Sequence, residues 1–152
     1  MRRLLPLLLL AFPATADAKP AYCTKTAVQE IRIASGKPEL AGINTVLCAD
    51  VTNDGVRDAI YTVRSGGTAG PVRFGVIRGG SEVSILREWK DAYKVTIDRV
   101  NDHRFDVQQP YYAADDPNCC PSAFDVTPYR WNGTAFRHGR SMRYKHFQKR
   151  FR

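Results

Sequence analysis

Turn-forming residues interrupt the chain every eight to twelve positions from residue 43 to residue 138, and this spacing constrains the fold most strongly. The segments between the turns are rich in β-branched and aromatic residues, and they show no helical periodicity. Short runs of this kind between turn signals are typical of antiparallel sheets. The sequence predicts eight strands, at 43–49, 57–64, 71–78, 82–88, 93–100, 103–109, 123–131 and 134–138.

Three dipeptides predict hairpins between consecutive strands. Asn132-Gly133 is the favoured pair for a two-residue turn, because both central positions of such a turn need positive φ. The same reasoning places turns at Gly79-Gly80 and at Asn101-Asp102. Consecutive strands therefore pair as a meander.

One helix precedes the strands, near residues 26–35. Thr26 and Gln29 have the spacing of a capping box, and Gly36 followed by Pro38 predicts the end of the helix. The expected fold class is mainly β (α+β), an antiparallel meander or sandwich of about eight strands with one short N-terminal helix.

Residues 1–18 have the pattern of a secretory signal peptide. Arg2 and Arg3 precede an apolar stretch that ends in the A-x-A site at 16–18. The stretch is too short for a transmembrane span, and no later segment has the roughly 20 apolar residues that a span needs. We expect a secreted or periplasmic monomer with one domain at 19–136 and a basic tail at 137–152.

Four cysteines follow the predicted cleavage site, and export favours their oxidation to disulfides. Three pairings are possible. Cys119 and Cys120 are adjacent, and a ring between neighbours is strained, so the sequence favours pairing each with a distant partner, Cys23 or Cys48. Zinc is the less favoured alternative because CxxC spacing is absent.

The segment CADVTNDGVRD, at 48–58, has the spacing of an aspartate-rich calcium loop. A helical calcium hand is excluded, because the flanks are strand-like and position 12 of the loop is Tyr61 instead of glutamate. An inter-strand loop would use the side chains at positions 1, 3, 5 and 9 and the carbonyl at 7. The predicted ligands are Asp50, Thr52, Asp54, Val56 (carbonyl) and Asp58. Three carboxylates predict a weak site, with a Kd of about 10⁻⁴ to 10⁻³ M; the alternative is a plain turn at 53–55.

The segment YYAADDPNCCPSAF contains four residues suited to ligand binding, Tyr111, Tyr112, Asp115 and Asp116. They predict an aromatic and acidic rim of a ligand groove. The alternative is structural, because a long loop without strands of its own needs a staple and the paired cysteines could supply it.

The last sixteen residues carry seven cations and no acid, within a chain of net charge +8. Aromatic residues are interleaved with these cations, a composition suited to anionic lipid headgroups, cell-wall polymers or extracellular nucleic acid. The alternative is a frayed, solvating terminus. The predicted anion-binding residues are Arg137, Arg140, Arg143, Lys145, Lys149, Arg150 and Arg152.

The order CADVTNDGVRDAIYTV, GGTAGP, PYYAADDPNCCPS and YRWNGTAF resembles the LppP/LprE-like secreted proteins and lipoproteins of bacteria, over about residues 46–136. The aspartate loop is also similar to the calcium loops of FG-GAP and VCBS repeats. The first resemblance implies a cell-envelope protein, and the second implies calcium. This chain lacks a lipobox, since Tyr22 precedes Cys23.

No GxSxG or HExxH motif is present, and no catalytic residue is predicted. We expect an exported, non-enzymatic binding module of the envelope, stabilised by calcium. The alternative is a small envelope hydrolase or hydrolase inhibitor that acts on carbohydrate or protein.

Overall fold

A computed structural model describes residues 19–101 and 103–151 of the chain. The predicted signal peptide at 1–18, Asp102 and Arg152 lie outside the described residues. No helix in the described part is long and apolar enough to cross a membrane. The described elements are α1 (Lys25–Ala34), β1 (Ile43–Ala49), β2 (Asp58–Arg64), β3 (Pro71–Arg78), β4 (Ser84–Trp89), β5 (Thr96–Asn101), β6 (Arg104–Tyr111), β7 (Ala123–Trp131), β8 (Phe136–His138), β9 (Met142–Tyr144) and a 3-10 turn (Lys149–Phe151).

The strands form two antiparallel sheets in a mainly-β fold, as predicted. The first sheet has the order β1-β2-β3-β4, and the second has the order β5-β6-β7-β8. β9 also pairs with β7, beside residues 124–126, whereas β8 pairs with the end of the same strand. The bounds of β1, β3 and β7 agree with those predicted, and β9 was not predicted.

The predicted hairpins form, but two of their loops are longer than two residues. Four residues connect β7 to β8, because Asn132 N donates to the Ala135 carbonyl and Asn132 Oδ1 accepts from Thr134 N and Ala135 N. Gly133 has the expected positive φ, +99°. Residues 79–83 connect β3 to β4. β5 and β6 pair as predicted, although Asp102 in their connection lies outside the described residues.

The helix begins one residue earlier than predicted, and its cap is Thr24. The Thr24 hydroxyl accepts from Ala27 N over 3.2 Å, so the capping box predicted at Thr26 is wrong. The predicted end is confirmed, because Gly36, which follows the C-cap Ser35, has φ +68° and donates to the Ile33 carbonyl.

The first sheet is the middle layer of the fold, and every residue of β2 except Arg64 is buried. Ala59, Tyr61 and Val63 face the helix, where they pack with Val28. Ile60 lies on the other face and packs against the second sheet in a cluster that includes Phe74, Val76, Ile97, Phe105 and Val107. Both faces of the sheet therefore contribute to the core.

Three strands at sheet edges have an irregular register. The pairing of β1 with β2 skips Asn44, and the pairing of β4 with β3 skips Leu86. The pairing of β5 with β6 skips Val100. Each of these three strands thus carries one extra residue, the pattern of a β-bulge.

The end of the chain covers the outer face of the second sheet. Phe151 is only 2% exposed, and Gln148 N donates to the Gln108 side-chain carbonyl over 2.9 Å. The guanidinium of Arg150 bonds Asp98 and the buried Asp106. Residues 145–151, called here the C-terminal segment, form a packed cover, in contrast to the frayed terminus that the sequence left open.

The disulfides join Cys23 to Cys48 and Cys119 to Cys120. The prediction that the two adjacent cysteines each pair with a distant cysteine is therefore wrong. The start of α1 packs on β1, which brings the Cα atoms of Cys23 and Cys48 within 6.1 Å. The adjacent pair lies in the loop between β6 and β7, on the other sheet. The pairing depends on which cysteines lie close together in the folded chain, and their spacing in the sequence does not show this.

Candidate functional site

The three aspartates of the predicted calcium loop point to different partners. Asp50 accepts from the backbone N–H groups of Asp54 and Gly55, at 3.1 and 2.9 Å, and this closes the loop on itself. Asp54 forms a two-nitrogen ion pair with Arg78 of β3, and this hydrogen bonding holds the pKa of Asp54 below its ordinary value. Val56 is exposed, and its N–H also donates to Asp54.

Asp58 is fully buried and fastens the loop to the neighbouring hairpin. Its Oδ2 accepts from Val51 N, Thr52 N and the Thr52 hydroxyl, and its Oδ1 accepts from Gly79 N. Burial raises the pKa of Asp58, and the donors from Gly79 and Thr52 partly offset that rise. Within the described residues, no group of three or more acidic, histidine or cysteine side chains is placed to hold a metal ion. Calcium binding stays a prediction from the sequence.

The acidic residues of the β6–β7 loop have different environments. Asp116 closes the loop, because it accepts from Ala113 N, Ser122 N and the Ser122 hydroxyl at 2.6–2.8 Å. These hydrogen bonds, led by that of the Ser122 hydroxyl, hold the pKa of Asp116 below its usual range. Asp115 is exposed. The loop thus uses one of its two predicted rim carboxylates for its own structure.

Tyr111, the last residue of β6, and Tyr112, the first residue of the loop, both contact cations. The Arg143 guanidinium lies 3.3 Å from the ring centroid of Tyr111, and it also pairs with Asp125. Tyr112 accepts a hydrogen bond from Lys94 Nζ over 2.9 Å. Of the predicted anion-binding residues, Arg143 and Arg150 are thus committed to carboxylates of the domain. Arg140, Lys145 and Lys149 are exposed, and Arg152 lies outside the described residues.

Arg137 lies beside a cavity of about 420 Å³ that was not predicted from the sequence. Its aromatic walls are Trp89, Tyr129, Trp131 and Phe136; we call this cavity the aromatic cleft. The rings contact one another, with centroids 5.0 Å apart for Trp89 and Tyr129 and 4.9 Å apart for Trp131 and Phe136. Strand pairing explains the arrangement, because Tyr129 and Trp131 share one face of β7 and Phe136 lies opposite Trp131.

All the ionisable groups that line the aromatic cleft, apart from the phenol of Tyr129, are cationic or imidazole side chains. They are Arg87, Arg137 and His138, and no carboxylate is among the lining residues. The Arg87 guanidinium lies 5.9 Å from the Trp89 ring centroid. Burial raises the pKa of Tyr129, so its phenol stays neutral. An acid-free cleft with aromatic walls is suited to a ligand that has both a flat apolar face and negative charge.

A second cavity, of about 520 Å³, adjoins the cleft along β4. It shares Leu86, Arg87, Trp89 and Tyr129 with the cleft, and Lys37 and Lys90 also line it. The two cavities together follow the open edge of the first sheet. The alternation of aromatic residues in YRW was the available sequence signal, but the sequence does not show that β4 lies beside β7 and β8.

No protein-family model, curated protein or solved structure matches the chain. The site must therefore be interpreted from its own geometry.

Proposed function

We propose that this protein is an exported, non-enzymatic binding module of the bacterial cell envelope that holds an acidic glycan in the aromatic cleft. The observation that carries the proposal is the lining of the cleft, with four aromatic residues, two arginines and no carboxylate. The C–H faces of sugar rings pack on aromatic rings, and guanidinium groups bind carboxylate or phosphate with paired hydrogen bonds. One cleft offers both kinds of contact.

The extent of the site also supports a polymer. The cavities along β4, of about 420 and 520 Å³, share four lining residues, so a ligand held in the cleft can continue into the second cavity. Lys37 and Lys90 extend the positive charge beyond the cleft, although Glu88 and Asp91 line the second cavity as well. The cleft itself is the expected centre of binding, with the second cavity as its continuation.

Export is supported by the predicted signal peptide and by the disulfide between Cys23 and Cys48. Structural disulfides persist in oxidising compartments and are rare in a cytosol. The resemblance to the LppP/LprE-like proteins points to the same compartment. The polyanions of that compartment include cell-wall polymers, and the basic tail predicts the same class of partner.

The test compares oligomannuronate with neutral oligomannose of equal length, by calorimetry on the mature protein. These probes differ in the carboxylate, so tighter binding of oligomannuronate, weakened by added salt, is expected. Arg137→Gln should weaken it about tenfold, as expected for loss of a hydrogen bond to a charged group. Trp131→Ala should weaken both glycans, because it removes a stacking surface.

The matched control is Lys25→Gln, which removes an exposed charge on α1 outside the cleft lining. Equal loss in Lys25→Gln and Arg137→Gln would show attraction by overall charge without a site. Absence of glycan binding, or tighter binding of single-stranded DNA than of oligomannuronate, would overturn the proposed ligand class. Point variants are preferred to truncation at Arg137, because truncation removes most of β8 and all of β9.

A further inference from the structure

A cavity of about 220 Å³ lies on the outer face of the second sheet, and it shares no lining residue with the aromatic cleft. We call it the outer cavity. Its apolar walls include Pro110 of β6, Phe124 of β7, Pro121 of the β6–β7 loop and Phe147 of the C-terminal segment. Phe124 and Phe147 meet edge to face, with centroids 5.5 Å apart. The C-terminal segment thus helps to enclose it.

Gln108 lines the outer cavity and carries a buried polar atom without a partner. The residue is 1% exposed, and its Nε2 has no hydrogen-bond partner in the described structure. The side-chain carbonyl accepts from Gln148 N over 2.9 Å. If the Gln108 amide were flipped, its NH₂ group would face the N–H group of Gln148 and two donors would meet. The orientation of the amide is therefore fixed. A buried donor without an acceptor is costly, and an acceptor in the cavity would remove that cost.

Lys94 also lines the outer cavity, and its ammonium is held in place by protein atoms. Its Nζ donates to Tyr112 Oη over 2.9 Å and to the Asn118 carbonyl over 2.7 Å. Hydrogen bonding to Tyr112 raises the pKa of Lys94, which keeps the group charged. An ammonium has three N–H donors, and the Tyr112 and Asn118 oxygens accept two of them. A ligand carboxylate would take the third in place of the Tyr93 ring, whose centroid lies 5.1 Å from Nζ.

We propose that the outer cavity binds a small organic acid. Its carboxylate accepts hydrogen bonds from Gln108 Nε2 and Lys94 Nζ. Its apolar part packs among Pro110, Phe124 and Phe147. The polar side chains of the lining are the amide, the ammonium, the Thr96 hydroxyl and the Tyr112 phenol, with no carboxylate to repel an anion.

The size of the cavity limits the ligand. Its volume of about 220 Å³ equals that of about seven waters at roughly 30 Å³ each. This is smaller than the usual site for a drug-sized ligand, which begins near 300 Å³. A single aromatic ring or a short alkyl chain with one carboxylate fits such a space. We expect a Kd of about 1 mM for so small a ligand.

The test uses benzoate and benzamide, which have nearly the same shape but differ in charge. Binding to the mature protein is followed by backbone amide shifts in NMR spectra. Both probes should move the resonances of cavity-lining residues such as Phe124 and Phe147, and benzoate should bind more tightly. Lys94→Met should abolish the preference for benzoate and leave benzamide binding nearly unchanged.

A second variant tests the buried amide. Gln108→Glu keeps an acceptor for Gln148 N but replaces the unpartnered donor with a carboxylate oxygen. It should weaken benzamide binding by about tenfold, and benzoate binding by more, because the new negative charge also repels benzoate. Lys25→Met, an exposed change on α1 outside the cavity lining, should leave both affinities unchanged. Thermal melting of each variant separates loss of binding from loss of folding.

Three results would overturn the proposal. The first is that neither probe moves a cavity-lining resonance in wild-type protein at concentrations about ten times the expected Kd. The second is equal affinity of wild-type protein for benzoate and benzamide. The third is an ordered water on Gln108 Nε2 that benzoate does not displace. The wild-type measurements decide the matter even if a variant fails to fold, and they do not depend on glycan binding at the aromatic cleft.

Discussion

Arg32 Nε donates to Glu88 Oε2 over 2.7 Å, and neither side chain is exposed. The bond joins α1 to the edge strand β4. Tyr61 Oη donates to the same oxygen over 2.7 Å, and Arg73 Nη1 lies 3.3 Å from the other oxygen. The Glu88 carboxylate therefore connects the helix, β2, β3 and β4. Removing one partner of a buried ion pair costs more free energy than the intact pair contributes.

We expect Glu88→Gln to lower the free energy of unfolding by about 3 kcal/mol at neutral pH, since it leaves the Arg32 charge buried without its counter-ion. Burial raises the pKa of Glu88, but the bonds and charges of Arg32, Tyr61 and Arg73 outweigh it, so the pKa lies below its ordinary value of 4.5. A lowered pKa stabilises the folded state above pH 4.5, and that contribution is lost as the pH falls through the folded-state pKa.

Denaturant unfolding across pH 2–7 measures this effect. The difference in the free energy of unfolding between wild type and Glu88→Gln should have its largest value above about pH 4.5 and should become smaller below that pH. Subtracting the two curves cancels the titration of Asp58, whose raised pKa acts in the opposite direction. Glu82→Gln, on the exposed β3–β4 hairpin, is the control. A difference in the free energy of unfolding that does not change with pH would contradict the lowered pKa of Glu88.

Phe151→Ala should destabilise the fold by about 3 kcal/mol, because a buried phenylalanine near the end of the chain would be replaced by a void. Phe147→Ala is the matched change in the same segment. Phe147 is 39% exposed, so its loss should cost about 1 kcal/mol. Urea midpoints of the two variants provide the measurement. Equal, small losses would mean that the C-terminal segment does not cover the sheet in solution.

The two disulfides should differ in their effect on stability. The Cys23–Cys48 bond closes a loop with a sequence separation of 25, and chain entropy predicts a loss of about 3.5 kcal/mol for the double alanine variant. The Cys119–Cys120 bond joins adjacent residues, so the corresponding loss is about 1 kcal/mol. Thermal and urea unfolding of both double variants would test this order. A larger loss from the adjacent pair would contradict the loop-entropy account.

The calcium site predicted from the sequence also has a measurable consequence. With a Kd of about 10⁻⁴ to 10⁻³ M, about 10 mM calcium should stabilise the fold by roughly 1.4–2.7 kcal/mol. Melting curves in calcium and in a chelator provide the comparison, with Asp50→Asn as the variant that should remove the shift. An unmoved midpoint would leave the loop as a turn that Asp58 and Arg78 hold in place.

The sequence predicted those features that depend on local pattern. The bounds of β1 and β7 follow from runs of β-branched and aromatic residues between clear turn signals. β9 was missed because it has three residues, MRY, and forms through pairing with β7, where Arg143 meets Asp125. Thr26 has the Gln29 partner of a capping box and Thr24 has no such partner, but the observed chain path selects Thr24 as the cap.

The sites were predicted less well than the strands, for a physical reason. Asp58 looks like a cation ligand in a spacing motif, but folding turns it toward backbone donors. Gln108 is an ordinary polar residue of a strand in the sequence, but in the fold its amide is buried and its carbonyl accepts from Gln148 of the C-terminal segment. Both outcomes depend on contacts between residues far apart in the sequence.

The extra residues in the edge strands affect self-association of the protein. A regular exposed edge offers a continuous row of N–H and C=O groups on which a second chain can polymerise. Asn44, Leu86 and Val100 interrupt that row on β1, β4 and β5. Crowded molecules thus find no uniform template for a shared sheet along β1, β4 or β5, and this irregularity favours dispersion over fibre growth at those edges.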